Sequence, residues 1–247
     1  MIELAAAVQF LLISPAFVRR PFTPRELGRS TAFFPLVGLL LGGLLAAADL
    51  LLAILFPAQI RSALVLALWI LLTGALHFDG FLDACDGLLG GRTPERRMQI
   101  MRDERTGAYA LAGGALMLLT MFSALNVIGP ARWAALLLAP VLGRCGVTLS
   151  VVTFPYARAT GLGRDIKDQA RAVHAASAVL TSIAVVGTLA WKLQNLVAVA
   201  AFVSAAIVWW LGSGFVLRKI PGMTGDTYGA INMLIEATVL LAFAAAP

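Results

Sequence analysis

The stretch TAFFPLVGLLLGGLLAAADLLLAILF, residues 31–56, decides the fold class of this chain. It contains a single charged side chain, Asp49. A helix needs about 20 predominantly apolar residues to cross a bilayer. The stretch therefore predicts a membrane-spanning helix. Asp49 lies near its carboxyl-terminal end, where we expect the side chain to snorkel towards the membrane surface.

The rest of the chain is equally apolar. Its 247 residues are 60% hydrophobic and only 13% charged, whereas soluble domains are about 45–50% apolar. This composition predicts one membrane domain, 1–247, and excludes a separate soluble one. Cys85 and Cys145 fall in different segments, without the spacing of a disulfide framework or a metal site. The start, Met1-Ile2-Glu3-Leu4, lacks the basic stretch of a cleaved signal peptide.

Apolar stretches recur along the chain and predict an all-α, polytopic helix bundle. We expect about eight spans, within a range of six to eight, because several stretches are short for a crossing. The predicted spans are 2–18, 31–56, 62–78, 107–128, 133–155, 173–190, 196–217 and 229–246.

Basic residues alternate between the connections that join these spans. In chain order the connections hold four, one, five, one, four, one and two lysines or arginines. The positive-inside rule then places the four richer connections in the cytoplasm and both termini outside. This asymmetry also accounts for the net charge of +6, so we expect a lipid bilayer as partner and no nucleic acid.

Three aspartates, Asp79, Asp83 and Asp86, follow the third apolar stretch. Spacings of four and three place them on one helix face, where like charges repel. A cation would neutralise them, and carboxylate oxygens are ligands that Mg²⁺ or Mn²⁺ prefers beside substrate phosphates. The pattern predicts metal-assisted phosphoryl transfer at the membrane surface. A solvated acidic helix end is the alternative, but neighbouring Phe78 and Phe81 indicate a half-buried helix.

The connection 79–106 is long enough to form a helical hairpin on the cytoplasmic face. Its first helix is expected to continue the third span and to break at Gly90. Thr93 followed by Pro94 then reads as an N-cap with proline at the first helical position. The second helix is expected to end at about Asp103.

Arg102 and Arg105 lie three residues apart, so on a helix they share a face. Two arginines so placed can grip phosphate oxygens in a bidentate manner. Asp103 between them could complete the metal site begun by the three earlier aspartates. The alternative for the arginines is snorkelling to lipid headgroups.

Two further charges lie in predicted spans. Arg144 is an intramembrane cation, and such charges usually face the bundle interior or a watery cavity. Its alternative role is a structural ion pair with Glu236. Glu236 follows the glycine-rich segment 222–230, which contains Asp226 and could form an amide nest for phosphate. The alternative for that segment is an entry turn and N-cap of the last span.

At these residues the chain resembles cobalamin synthase, the adenosylcobinamide-GDP ribazoletransferase family. Four blocks match in the family's order, together with Arg144 and Glu236, and they extend over nearly the whole chain. The chain departs from the pattern only slightly, with Glu104 where serine is common and Ala110 where glycine is common. The matching blocks are FFPLVG at 33–38, HFDGFLDACDG at 77–87, IMRDERTG at 100–107 and TGDTYGA at 224–230.

The resemblance implies an inner-membrane enzyme of late cobalamin biosynthesis with its active site in the cytoplasm. Such enzymes join adenosylcobinamide-GDP to α-ribazole, or its 5′-phosphate, and release GMP. Mg²⁺ is the implied cofactor, and Asp86 or Asp226 is a candidate proton acceptor. The oligomeric state stays open, a homo-oligomer included. The implied metal ligands are Asp79, Asp83, Asp86 and Asp103, and the implied substrate-binding residues are Arg102, Arg105, Arg144, Asp226 and Glu236.

Two other functions remain as alternatives. The first is a CDP-alcohol phosphotransferase, a phospholipid enzyme whose pattern Asp-(x)2-Asp-Gly-(x)2-Ala-Arg begins like Asp83-(x)2-Asp86-Gly87. Here the alanine is missing and Arg92 comes one residue late. The second is an ion-coupled transporter, but no broken inverted repeat is visible and its cytoplasmic carboxylates would have no role.

Overall fold

The computed structural model describes residues 1–246 and confirms an all-helical architecture. Within that range, extended pairing is limited to a bridge between Tyr156 and Met223. A short 3₁₀ turn precedes α3, and a π-helical turn, Asp86–Gly90, follows α5. The helices are α1 Ile2–Leu11, α2 Pro24–Ser30, α3 Phe34–Leu52, α4 Ala58–Leu72, α5 Leu76–Cys85, α6 Pro94–Ile100, α7 Ala108–Val127, α8 Arg132–Thr153, α9 Leu162–Gln169, α10 Ala172–Leu193, α11 Val197–Leu217 and α12 Gly225–Ala244.

Six helical segments within residues 1–246 are long and apolar enough to cross a membrane, and a bent pair raises the number to seven. This agrees with the predicted range of six to eight, although eight separate crossings do not form. The first predicted span, 2–18, is wrong. α1 has 10 residues, about half of what a crossing needs.

The position of α1 corrects the predicted side of the amino terminus. Glu3 in its first turn lies 3.9 Å from the Nη1 atom of Arg29, and Phe10 in its last turn stacks on Phe34. Both partners lie at the end of the bundle where α3 begins. α1 therefore stays at that end, and the prediction that the amino terminus lies across the membrane from the connection 19–30 is wrong.

α4 and α5 form the bent pair, with an angle of 93° between them. Gly74 and Ala75 adopt left-handed φ angles of 58° and 56°, which an α-helix of L-residues cannot continue through. The expectation that the aspartate helix continues the third span is therefore wrong. The bend instead directs α5 against α7 and α12.

α8 lies at the centre of the bundle. Of the residues in its apolar, membrane-spanning stretch, 83% are buried, whereas the corresponding value is 22% for α10 and for α11. α10 and α11 therefore present most of their surface to lipid. α8 packs on α3 and on α12. A Cβ atom on Gly42 of α3 would lie 2.7 Å from the backbone of Leu137, so the glycine permits close contact between α3 and α8.

Asp49 does not snorkel, as the sequence had led us to expect. It is buried and accepts a hydrogen bond at 2.9 Å from Nε of Arg132. Arg132 also donates to Ser62 on α4 and to the carbonyl oxygen of Leu125. A buried carboxylate needs a partner, and the ion pair of Asp49 with Arg132 joins α3, α4, α7 and α8 at the far end of the bundle.

Candidate active site

α5 and α12 cross closely at two glycines. A Cβ atom on Gly80 would lie 3.0 Å from the carbonyl oxygen of Asp226, and one on Gly229 would lie 2.9 Å from the carbonyl oxygen of His77. Because neither glycine has a side chain, the two backbones can approach this far. The crossing brings the carboxylates of α5 beside the first turn of α12.

The carboxylates gathered there form a like-charged cluster. The Asp83 side chain is within electrostatic range of Asp79, Asp86 and Asp226. The predicted grouping of Asp79, Asp83 and Asp86 is therefore present, with Asp86 in the π-helical turn that follows α5, and Asp226 joins it from α12. Within residues 1–246, the side chains of Asp79 and Asp83 form no hydrogen bond or ion pair. Their repulsion is thus left for a ligand to relieve.

Asp226 is held by two neighbours. The Nη2 atom of Arg158 donates to its Oδ2 atom at 2.6 Å, and the hydroxyl of Thr224 donates to the same oxygen at 3.2 Å. The N-cap stated as the alternative for the glycine-rich segment is present, because the Oγ1 atom of Thr224 accepts from the amide of Thr227. Arg158 is not among the predicted site residues, because no motif in the sequence distinguishes it from the other basic residues of its connection.

Asp86 serves as an anchor for α7. Its Oδ2 atom accepts from the amide of Gly107 at 2.6 Å, and its Oδ1 atom accepts from the amide of Ala110 at 2.8 Å. The first amides of a helix have no intrahelical partner and carry partial positive charge. A carboxylate at this position therefore satisfies two of them. Each oxygen retains a further lone pair, so the predicted catalytic and metal-binding roles stay predictions.

The hairpin after α5 forms largely as predicted. The helical run ends at Gly90, and α6 begins at Pro94 with Thr93 as its N-cap. The Oγ1 atom of Thr93 accepts from the amide of Arg96. α6 ends at Ile100, however, three residues before the predicted end.

This early end separates Arg102 and Arg105 from the helix, so the predicted shared helix face is wrong. Arg105 instead donates to Asp103 from Nε at 2.9 Å and from Nη2 at 2.7 Å. These bonds lower the pKa of Asp103 to about 2. Asp103 is thus paired with Arg105 in this conformation, and its membership of a metal site stays a prediction.

Arg144 and Glu236 form a buried ion pair between α8 and α12. The side chains are 0% and 1% exposed, so the structural alternative stated for Arg144 is confirmed. A cavity of about 20 Å³ adjoins the pair and His77, enough for about one water molecule. The substrate-binding roles predicted for Arg144 and Glu236 stay predictions.

The donor set fits a hard divalent cation. Asp79, Asp83 and Asp226 offer carboxylate oxygens, the ligand type that Mg²⁺ prefers. Within residues 1–246, no three His, Cys, Asp or Glu side chains are grouped closely enough to coordinate one ion. A cation between α5 and α12 would have to draw these carboxylates together.

Fold and site together define a multi-pass helical membrane protein with a carboxylate cluster at one end of its bundle. The family model described as Cobalamin-5-phosphate synthase matches residues 3–244, and the chain belongs to this family. The resemblance stated from the sequence is therefore confirmed.

Curated relatives agree with the family over their full length. An adenosylcobinamide-GDP ribazoletransferase of Stutzerimonas stutzeri is 40% identical over 99% of this chain and 98% of its own. Proteins of the same name from Pseudomonas fluorescens strain Pf0-1 and Geotalea daltonii are 39% and 37% identical. They cover 99% and 97% of this chain, and 99% and 95% of their own lengths. No solved structure matches.

Proposed function

We propose that this chain is an adenosylcobinamide-GDP ribazoletransferase. It joins adenosylcobinamide-GDP to α-ribazole, or to α-ribazole 5′-phosphate, and releases GMP. The observation that carries this proposal is the match of proteins with that activity in their names over nearly the whole chain. The comparisons give the CDP-alcohol alternative no support.

The reaction is a phosphoryl transfer. A ribose hydroxyl of the acceptor attacks the phosphorus atom that carries the aminopropanol arm, and a new P–O bond forms. The bond from that phosphorus to the bridging oxygen of the pyrophosphate breaks, and GMP leaves with that oxygen. The hydroxyl proton passes to a base. Such a reaction depends mainly on positioning and on neutralising charge.

The carboxylate cluster fits this requirement. Asp79 and Asp83 on α5 would hold Mg²⁺, which supplies charge neutralisation at the pyrophosphate and its leaving oxygen. Repulsion within the cluster supports this role, because Asp79 and Asp83 have no other partner within residues 1–246. Arg158 lies beside Asp226 and can contact phosphate oxygens.

Asp226 is the better of the two expected proton acceptors. Both oxygens of Asp86 accept backbone amides. In Asp226 the two donors share Oδ2, so Oδ1 remains available for the proton of the attacking hydroxyl.

In this proposal the protein lies in the inner membrane and its active site faces the cytoplasm. The support comes from the positive-inside rule. Asp83, Arg158 and Asp226 lie in or next to connections that are rich in basic residues. Their side chains come together at one end of the bundle. That end is the cytoplasmic one if the basic connections are cytoplasmic.

The purified protein in detergent or liposomes tests the proposal directly. It receives adenosylcobinamide-GDP and α-ribazole 5′-phosphate, and GMP and the corrinoid product are measured by chromatography. GMP formed in step with cobalamin 5′-phosphate is the expected result. Absence of GMP from protein that unfolds cooperatively would contradict the proposal, and CDP-diacylglycerol with an alcohol acceptor would be assayed next.

A further inference from the structure

A cavity of about 220 Å³ opens beside the carboxylate cluster. One side is polar and is formed by Asp79 and Asp226, next to the close crossing of α5 and α12 at Gly80 and Gly229. The other side is apolar and belongs to helices from distant parts of the chain. Its apolar lining residues are Phe10, Phe34, Leu76, Val147, Val151, Leu162 and Ile166.

The apolar side belongs to the packed core of the protein. Phe34, Val151 and Ile166 are each less than 5% exposed, and Phe10 stacks on Phe34 with ring centroids 5.9 Å apart. Side chains held in this way keep their positions when a ligand enters. The cavity can therefore select a ligand by shape.

Two residues of the cavity lining each carry a buried polar atom without a protein partner. Within residues 1–246, Nε2 of His77 and the hydroxyl of Tyr228 form no hydrogen bond, and the two side chains are 5% and 7% exposed. An unsatisfied buried polar group costs about 1–3 kcal/mol. Both residues line the cavity, but the two atoms themselves are enclosed by protein, so the cavity offers a ligand the carboxylates of Asp79 and Asp226 as its accessible polar groups.

The size of the cavity excludes the corrinoid as its occupant. Pockets that enclose drug-sized ligands measure about 300–1,000 Å³, and a corrin macrocycle is larger than such ligands. The cavity therefore accepts one small part of a substrate. The two candidates are the guanine of the GDP group and the benzimidazole base of α-ribazole.

The apolar lining distinguishes these two bases. Guanine carries an amide, an amine and ring nitrogens along its edges, and Phe34, Val151 and Ile166 would leave these groups unpaired. The dimethylbenzimidazole of α-ribazole carries a fused, methylated carbon ring that buries favourably against such side chains. We propose that this cavity binds the base of the acceptor nucleoside and places its ribose at Asp79 and Asp226.

This assignment rests on the proposed function, and it adds the location of one substrate. Val151 and Ile166 are then residues that select the base of the acceptor nucleoside. The orientation follows from the two sides of the cavity, since an apolar base at one side leaves the ribose hydroxyls next to Asp226. There the free Oδ1 atom can accept the proton of the attacking hydroxyl.

Binding of α-ribazole alone tests the inference without turnover. The purified wild-type protein is titrated with α-ribazole by calorimetry, in the absence of adenosylcobinamide-GDP. Val151→Phe fills the cavity and should weaken binding about tenfold or more. In the steady-state assay, the same variant should raise KM for α-ribazole and change KM for adenosylcobinamide-GDP less than twofold.

A second pair of variants covers the case in which Val151→Phe fails to fold. Val151→Ala removes apolar contact from the cavity, whereas Val216→Ala removes the same atoms from an equally buried site on α11 away from it. Only Val151→Ala should weaken α-ribazole binding, by about threefold to tenfold. Equal α-ribazole affinity in the two alanine variants would overturn the inference.

Two other results would also overturn it: no binding of α-ribazole to folded wild-type protein, or a rise in KM confined to adenosylcobinamide-GDP. A different result would contradict the proposed function itself. It appears as absence of GMP release from wild-type protein, whereas failure of the inference leaves that release intact.

Discussion

Arg144 on α8 donates a hydrogen bond to Glu236 on α12, and both side chains are shielded from solvent. The pair joins the two most buried of the long helices. In α8 and α12, 83% and 72% of the residues in the apolar, membrane-spanning stretch are buried inside the bundle. α12 also carries Asp226 at its start. The ion pair therefore supports the helix that supplies one side of the carboxylate cluster.

Removing one partner of this pair should destabilise the protein. Arg144→Met leaves Glu236 buried without a counter-charge, and such changes cost about 3–5 kcal/mol. Thermal unfolding in detergent should show a lower midpoint. The double variant Arg144→Met, Glu236→Met should recover much of that loss, because no buried charge remains. An unchanged midpoint together with lost substrate affinity would instead identify Arg144 as a substrate contact.

The crossing of α5 and α12 should be sensitive to a single methyl group. Gly229→Ala places a Cβ atom 2.9 Å from the carbonyl oxygen of His77, so the helices must separate and the carboxylates move apart. Turnover should fall at least about tenfold, since misplacement of about 1 Å can cost 100-fold. Gly187→Ala on α10 is the control, because nothing lies within 4 Å of its added atom. Equal turnover in the two variants would show that the crossing does not position the site.

Asp86→Ala should weaken the start of α7. It leaves the amides of Gly107 and Ala110 without their acceptor, and loss of a helix cap costs about 0.5–2 kcal/mol. Hydrogen exchange should increase at the amides of the first turn of α7. Asp86→Asn retains an acceptor oxygen and should show a smaller increase. Unaltered exchange in the alanine variant would mean that Asp86 does not act as an anchor.

Arg158 is expected to support catalysis through Asp226. Arg158→Lys keeps the charge but loses the planar guanidinium that reaches the Oδ2 atom, so kcat/KM should fall about tenfold or more. Arg164→Lys is a matched control, because Arg164 makes an exposed ion pair with Asp168 within α9. Similar kinetics for both lysine variants would argue against a role for Arg158.

Features that depend on local sequence pattern could be predicted from the sequence. The break after Gly90 and the restart at Pro94 follow from the conformational preferences of glycine and proline, and both are confirmed. The partnership of Arg144 with Glu236 was also foreseen as an alternative, because few opposite charges lie within the spans. Family membership followed from four ordered blocks.

Features that depend on long-range contacts were out of reach. The bend before α5 requires Ala75 in a left-handed conformation, which no propensity favours. Arg158 meets Asp226 across 68 positions of sequence, so no local spacing could reveal the pair. Asp49 is likewise paired with Arg132 in the bundle interior. The sequence had placed Arg132 in a connection between two spans, so this pairing was not expected.

The claim that the α5 carboxylates hold the catalytic metal is tested most directly by Asp83→Asn. Glu95→Gln is the control, because it neutralises an exposed acid on the adjacent α6. GMP release is measured across a Mg²⁺ titration, and Mn²⁺ binding is followed by electron paramagnetic resonance. Asp83→Asn should lose turnover by about a hundredfold to a thousandfold and bind Mn²⁺ more weakly, while without metal it unfolds at a midpoint no lower than the wild type, because the substitution removes like-charge repulsion. Turnover and Mn²⁺ affinity equal to those of Glu95→Gln would contradict the account.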